Sequence, residues 1–432
     1  MTQIKPPQLE SVAQEPSPPQ PPASSESAGQ VSGPSLGRLV GVDLARALAV
    51  FGMYIVHIAP MTSASGSVGS WVYFLAEGRS SALFATLAGF SLMLIAGRRE
   101  PKTGLAGRQA KARIAIRAVI LLALGTVLAM EYGDIIILAY YGVYFLLALL
   151  LVRLSAKTLA LIAAGIALVM PQLAFVLKMW LSDSVQQSIN AYDPLERLST
   201  VGVLDLLLTG LYPTITWMTF VIAGMALARL DLSAVAVQRR LAALGAGLTV
   251  GAYGLSMLLA GTDAVWSLGG GGGPSSGSGP TSMGSGSGAG SMGSGSGPGS
   301  MGGGSGGPEL SASDLLGAVA HTGTTFDTLG CVGAAILVIV GSMVAMDRLP
   351  RVRRLAKPVI AVGTMSLTAY VGHFLAQSAW PASGSGTTTS WVPVLIYILG
   401  AIVFAAIWSR FFRRGPLEYL LNSTTKLANR VR

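Results

Sequence analysis

The chain has 432 residues, of which 51% are hydrophobic and only 11% charged, with a mean hydropathy of +0.60. Soluble domains carry about 25% charged residues, so this composition excludes a soluble globular protein and predicts an all-α polytopic transmembrane helical bundle. The net charge of +10 does not mark a nucleic-acid binder, because the Lys and Arg residues lack interleaved aromatics and sit in short loops between apolar segments.

Residues 1–36 are rich in Pro, Ser, Gln and Glu and hold no apolar core, which predicts a disordered tail rather than a signal peptide. Membrane-length apolar stretches then follow in two blocks, 37–266 and 309–432. Ten spans are predicted, at 39–60, 71–97, 113–131, 134–152, 157–180, 205–229, 241–260, 324–346, 358–380 and 391–409. Within the sixth, Leu204 to Leu211 reads also as a separate short segment before Pro213. Between the blocks, residues 267–308 are almost wholly Gly, Ser, Pro and Met, a flexible insert that cannot bury a core. The connections at 98–117, 153–157, 229–240 and 348–357, together with the tail from 410, hold 23 of the 29 basic residues. The intervening loops hold only Arg197, so both termini and the basic loops are predicted cytoplasmic.

The first span is the richest in chemistry. Gly41 to His57 is apolar except for Asp43, Arg46 and His57, and a charged group at a helix centre in lipid costs roughly 2.5–3.5 kcal/mol. Arg46 and His57 are eleven residues apart, which places them within about 20° of one helix face and roughly 16 Å apart along the axis. Asp43 and Arg46, at i and i+3, are spaced to pair. Such a pair would ease insertion, whereas an unpaired Arg46 would bind an anion, and the spacing permits both.

Further polar groups follow along the chain. The second span opens with Glu77, Arg79, Ser80 and Ser81, a candidate substrate-binding group. Ser81, Ala85 and Gly89 repeat every four residues, as in close helix packing. Arg79 needs a carboxylate or an anionic ligand beside it. Tyr132, Asp134, Tyr140 and Tyr141 add polar groups around the turn between spans three and four. His321 and Asp327 lie just before and at the start of span eight. In span nine Ser366, Tyr370 and His373 share a face at i, i+4 and i+7 and predict a polar stripe facing a cavity or another helix. His57, His321 and His373, the only histidines, all fall toward the predicted non-cytoplasmic side. No two of them show ligand spacing and Cys331 is the only cysteine, so no metal site is predicted.

The pattern Arg38, Asp43, Arg46 and His57 resembles the first-span signature of the membrane acyltransferase superfamily. That superfamily includes the heparan-alpha-glucosaminide N-acetyltransferases and the bacterial acyltransferase-three proteins. Gly78 to Phe84, Gly363 to Tyr370 and Arg414 to Glu418 resemble a related bacterial branch. Together these motifs cover the chain from about 38 to 420, excluding the insert. The resemblance implies transfer of an acyl group from cytoplasmic acyl-CoA, acetyl-CoA or another short thioester, to an extracytoplasmic glycan or glycolipid of the envelope. It places the chain in the bilayer of a bacterial plasma membrane. It further implies His57 as base or transient acyl carrier, and Arg46 as the group holding the donor's anionic part. Two readings without acyl transfer stand beside it: a transporter or flippase for an anionic solute or lipid, and a non-catalytic partner in envelope assembly.

Overall fold

The structure, a computed structural model, describes residues 36–60, 67–266, 311–379 and 390–431. All but the last residue of the tail expected over 1–36, and the whole insert over 267–308, lie outside the described residues. Among those described every regular element is helical. In chain order the α-helices are α1 (Leu36–Ile58), α2 (Val68–Ala76), α3 (Arg79–Ala96), α4 (Gly104–Tyr132), α5 (Ile137–Leu151) and α6 (Ala156–Trp180). Next come α7 (Asp183–Tyr192), α8 (Pro194–Ser199), α9 (Thr214–Arg229), α10 (Val235–Ala260) and α11 (Asp263–Trp266). The last block holds α12 (Thr325–Arg348), α13 (Pro350–Leu355), α14 (Lys357–Thr364), α15 (Ser366–Ala379), α16 (Val392–Phe411) and α17 (Pro416–Thr424).

Each of the ten apolar segments read from the sequence becomes a helix or helix pair, but they are not ten equal spans. Seven helical stretches are long and apolar enough to cross a membrane, and the pair α14–α15 would add an eighth. The other two, α5 and α9, are apolar helices of 15 and 16 residues. A crossing takes about 20 residues, so both fall short by roughly a turn. The sixth segment divides as the alternative reading allowed: a π-helical turn at Asp205–Thr209 comes before Pro213, which caps α9. The ninth is not the straight helix expected over 358–380. It breaks at Met365, where α14 and α15 meet at 87°.

Local chemistry accounts for the other boundaries. Ser67 caps α2 by accepting from the Ser70 N–H at 3.1 Å, and Thr324 caps α12 by accepting from the Asp327 N–H at 3.1 Å. Gly78 separates α2 from α3 at φ +67°, a left-handed conformation that suits glycine. Its position is also crowded, since a Cβ there would lie 2.9 Å from that of Ala320.

Two layers of burial result. The stretch from Val68 to Ala96 is mostly buried and runs through the middle of the bundle, whereas α16 is buried only at Val394 and Ala405 and presents its apolar surface outward. Helix α3 crosses α9 at backbone contact. A Cβ on Gly89 would come within 2.0 Å of the Val221 carbonyl oxygen, and one on Gly224 within 1.8 Å of that of Thr86. Small residues are what permit this approach in lipid, where helices have no hydrophobic drive to associate. Helix α1 packs against α3, α12 and α14. It therefore links the central layer to the broken helix pair.

Candidate functional site

The two ends of α1 are built differently. Toward its start Arg46 Nη1 meets Asp43 Oδ1 at 2.5 Å, and Nη2 donates to Ser91 Oγ of α3 at 2.8 Å. Ser91 in turn donates to the Leu87 carbonyl at 2.6 Å. The i,i+3 spacing thus forms an ion pair, and Arg46 is anchored on a second helix as well. Arg117 of α4 lies within electrostatic range of Arg46, Arg113 and Arg414, which makes this the basic end of the site. Gly363 brings α14 against this end so closely that a Cβ would sit 1.7 Å from the Asp43 carbonyl oxygen.

Toward the other end of α1 the three histidines come together. His57 Nδ1 and His373 Nε2 of α15 are 2.9 Å apart, with the rings stacked at 5.2 Å and 10°. His373 is buried, and its Nδ1 contacts the Tyr370 carbonyl oxygen. A carbonyl only accepts, so His373 carries its proton on Nδ1 and presents the lone pair of Nε2 to His57. In the neutral pair His57 must then donate from Nδ1, which leaves the lone pair on its own Nε2. His57 is partly exposed, and among the described residues its Nε2 has no hydrogen-bond partner. This chain of roles is the arrangement that orients a general base.

His321 completes the cluster from the segment before α12, within electrostatic range of His57. Its ring stacks on Trp217 at 5.7 Å and meets Tyr212 edge-on at 5.3 Å. The residue adopts φ +65°, uncommon for a side chain of this size. Its Nδ1 is buried without a hydrogen-bond partner among the described residues. Burial pushes the imidazole down to about 4, and Arg79 adds to that, while the Leu211 carbonyl opposes it.

Helix α15, which carries His373, is held from three directions. The Tyr54 hydroxyl of α1 donates to the Ala369 carbonyl at 2.7 Å, and the Tyr132 hydroxyl of α4 donates to the Phe374 carbonyl at 2.9 Å. The Tyr370 hydroxyl accepts from the Ile137 N–H of α5 at 3.2 Å. The free end of α15, exposed by the 87° break, is capped by Glu418 of α17. Its carboxylate accepts from the Leu367 N–H at 2.7 Å, the Thr368 N–H at 3.1 Å and the Thr368 hydroxyl at 2.5 Å. Carboxylates suit this position because a helix start presents unpaired N–H groups and a partial positive charge. Two of the motifs singled out in the sequence, Gly363 to Tyr370 and Arg414 to Glu418, thus meet in one cap.

The second-span residues form a neighbouring group. Arg79 is buried at 8% exposure, and its Nη1 donates to the Phe74 and Glu77 carbonyls at 2.7 and 3.1 Å. The guanidinium also lies over the rings of Phe74 and Tyr253, 4.0 and 4.7 Å from their centroids. Asp327 and Glu77 are within electrostatic range, so the charge is met without an anionic ligand. Asp327 accepts from the Gly323 N–H at 3.1 Å and from the Cys331 thiol at 3.4 Å. The hydroxyls of Ser80 and Ser81 donate to the Ala76 and Gly78 carbonyls at 2.7 and 3.0 Å. Ser80 also packs against Gly52 of α1, where a Cβ would sit 2.6 Å from its own. Ser366 starts α15, on the same helix as Tyr370 and His373 but only half-buried.

Among the described residues no group of three or more His, Cys, Asp or Glu is placed to hold a metal ion. Three contributors to the site have no signature in the sequence: Ser91 beside Arg46, Tyr54 beneath α15, and the Trp217 ring beside His321. Only the i, i+3 offset from His57 back to Tyr54 hinted at a shared face.

Residues 38–248 match the family model described as heparan-alpha-glucosaminide N-acetyltransferase, catalytic. Residues 311–428 match a second model, described as a protein of unknown function, DUF418. The first match ends within α10 and the second begins ahead of α12, so α1 with His57 lies in the first and α15 with His373 in the second. No curated protein and no solved structure matches the chain.

Proposed function

From the premise that this multi-pass membrane protein is related to the heparan-alpha-glucosaminide N-acetyltransferase-like, membrane-acyltransferase-related family, we propose that it transfers a short acyl group from acyl-CoA to a hydroxyl or amine of an envelope glycan or glycolipid. The observation that supports this reading most directly is the hydrogen-bonded pair of His57 and His373, which leaves Nε2 of His57 as the acceptor. His57 takes the proton of the acceptor hydroxyl or amine as that atom attacks the thioester carbonyl. The carbon–sulfur bond then breaks, and the departing thiolate recovers the proton from His57. General-base catalysis of this kind is worth about 10²–10⁴-fold.

His373 acts as a positioning residue, since it holds the tautomer and plane of His57. Asp43 and Arg46 fix the opposite end of the same helix, with the pair supporting α1 against α3 and leaving Arg46 only partly available to a donor. Tyr370 orients His373 through its carbonyl. Glu77, Arg79, Ser80 and Ser81 support the histidine end, where the acceptor is expected, and Ser366 starts the helix that carries His373. The basic end faces the cytoplasm by the distribution of Lys and Arg, so donor and acceptor approach along α1 from opposite sides. The test is acyl transfer from radiolabelled acetyl-CoA in membranes carrying wild-type protein or His57→Ala. Loss of label transfer with normal insertion is expected. Unchanged transfer in the variant would remove His57 from the mechanism.

A second reading rests on the 87° break between α14 and α15. Broken helices of this kind form midplane sites in transporters. Uptake of an anionic solute by proteoliposomes in the absence of any thioester would favour that reading over acyl transfer.

A further inference from the structure

A cavity of about 340 Å³ opens beside the basic end, between α3, α4, the end of α17 and the segment following it. Its volume lies within the range of small-molecule sites. Lys102, Arg113, Arg117 and Lys426 line it, with Asn422 and Asn429 as neutral polar members. No carboxylate belongs to the lining, and among the described residues none of the four cations is within ion-pair distance of one. Arg113 Nη2 donates to Asn429 Oδ1 at 2.7 Å, and Lys102 Nζ donates to the Ile95 carbonyl at 3.0 Å. These neutral acceptors aim the cations without cancelling their charge. Arg117 Nε is buried with no hydrogen-bond partner among the described residues. The same guanidinium faces Arg46, Arg113 and Arg414 electrostatically.

Four like charges around one cavity repel each other, and a bound anion turns that repulsion into attraction. Arg46 differs from them, since Asp43 already compensates it. We propose that this cavity is a phosphate-binding site, taking the pyrophosphate or phosphomonoester group of a larger molecule. Guanidinium forks from Arg113 and Arg117 match the oxygen geometry of such groups, and the lysines supply point charges. Two sources carry this chemistry: a soluble phosphorylated molecule of nucleotide type, and the headgroup of an anionic phospholipid. The site does not depend on acyl transfer, because it is defined by binding alone.

The experiment measures binding of inorganic pyrophosphate to the full chain in phosphatidylcholine nanodiscs, by calorimetry at constant ionic strength. Saturable binding is expected, weakened at least about tenfold in the double variant Arg113→Gln/Arg117→Gln, since each lost charge-assisted hydrogen bond is worth about that factor or more. The exposed pair Arg239→Gln/Arg240→Gln on α10 is expected to bind as wild type. Thermal midpoints without ligand verify that the double variant is folded. Arg117→Lys keeps the charge and is expected to retain saturable binding. Competition by coenzyme A assigns a soluble source, and competition by phosphatidylglycerol added to the nanodisc assigns a lipid headgroup. Absence of saturable binding by the wild type, or equal affinity in the folded double variant, overturns the proposal. The measurement needs no turnover, so a failure of acyl transfer leaves it standing.

Discussion

The two ends of α1 meet the cost of polar groups in a membrane by opposite means. At Arg46 a full charge is compensated in place, by Asp43 at 2.5 Å and by Ser91 at 2.8 Å. At His57 the polar groups are rings and carbonyls in a directional chain that can remain neutral, ending at an unpartnered Nε2. An ion pair that satisfies both partners stabilises a helix pair and leaves little reactivity. A chain of neutral donors and acceptors leaves one lone pair over, and that surplus is what chemistry requires. The difference predicts that substitutions at the basic end act mainly on stability, while those at the histidine end act mainly on turnover.

The largest effect is expected from His57→Ala, a drop of about 10²–10⁴ in acyl transfer with little change in thermal midpoint. A midpoint that falls sharply instead would mean the two ends are not functionally distinct. Gly363→Ala should come next. Its Cβ would overlap the Asp43 carbonyl oxygen, and overpacking of this kind costs about 1–3 kcal/mol. Denaturation in mild detergent reads it directly, and a stability equal to wild type would contradict the tight α1–α14 contact. Asp43→Asn leaves Arg46 with a neutral partner, at a cost of about 1.5–3 kcal/mol. The double variant Asp43→Leu/Arg46→Met should recover most of that loss, because replacing a pair is less damaging than breaking it. Failure of the double variant to recover would assign Arg46 a role beyond the pair.

Glu418→Gln tests how the histidine end is supported. Weakening the cap of α15 is expected to cost about 1 kcal/mol and to lower turnover more than binding of the acceptor. An unchanged kcat would detach the cap from His373. The smallest effect concerns pH. His321 titrates near 6.5 when unfolded and at about 4 in the fold. Between those values the unfolded chain binds a proton that the folded chain does not, so stability falls as pH drops from 6.5 toward 4. His321→Gln should therefore show a smaller decrease in thermal midpoint between pH 7 and pH 5. An identical decrease would show that other groups govern the acid limb.

The pattern of apolar segments was legible because lipid leaves the backbone no alternative to internal hydrogen bonding, and hydropathy alone then marks the helices. Asp43 and Arg46 could be read as pairable from spacing, since three residues along one helix fix their distance. The break at Met365 could not. It depends on Glu418, some fifty residues further on, which satisfies the N–H groups that the break exposes. The shortness of α5 and α9 was likewise hidden, because Ile135, Ile136 and Val152 beside α5, and Leu206 to Leu208 before α9, carry the apolar run past the helix ends.

What the sequence determined by itself, then, is local: an all-helical membrane protein, a charged first span, and three histidines whose identities suit proton transfer. What only the tertiary structure decided is which of those groups face each other. His57 and His373 are separated by 316 positions, and periodicity along one helix carries no information about a partner on another. Their pairing rests on the approach of α14 to α1 at Gly363 and on the turn that swings α15 back across the bundle. Hydrogen bonds are directional and short-ranged, so the same residues on a straight ninth span would leave His57 without the neighbour that sets its tautomer.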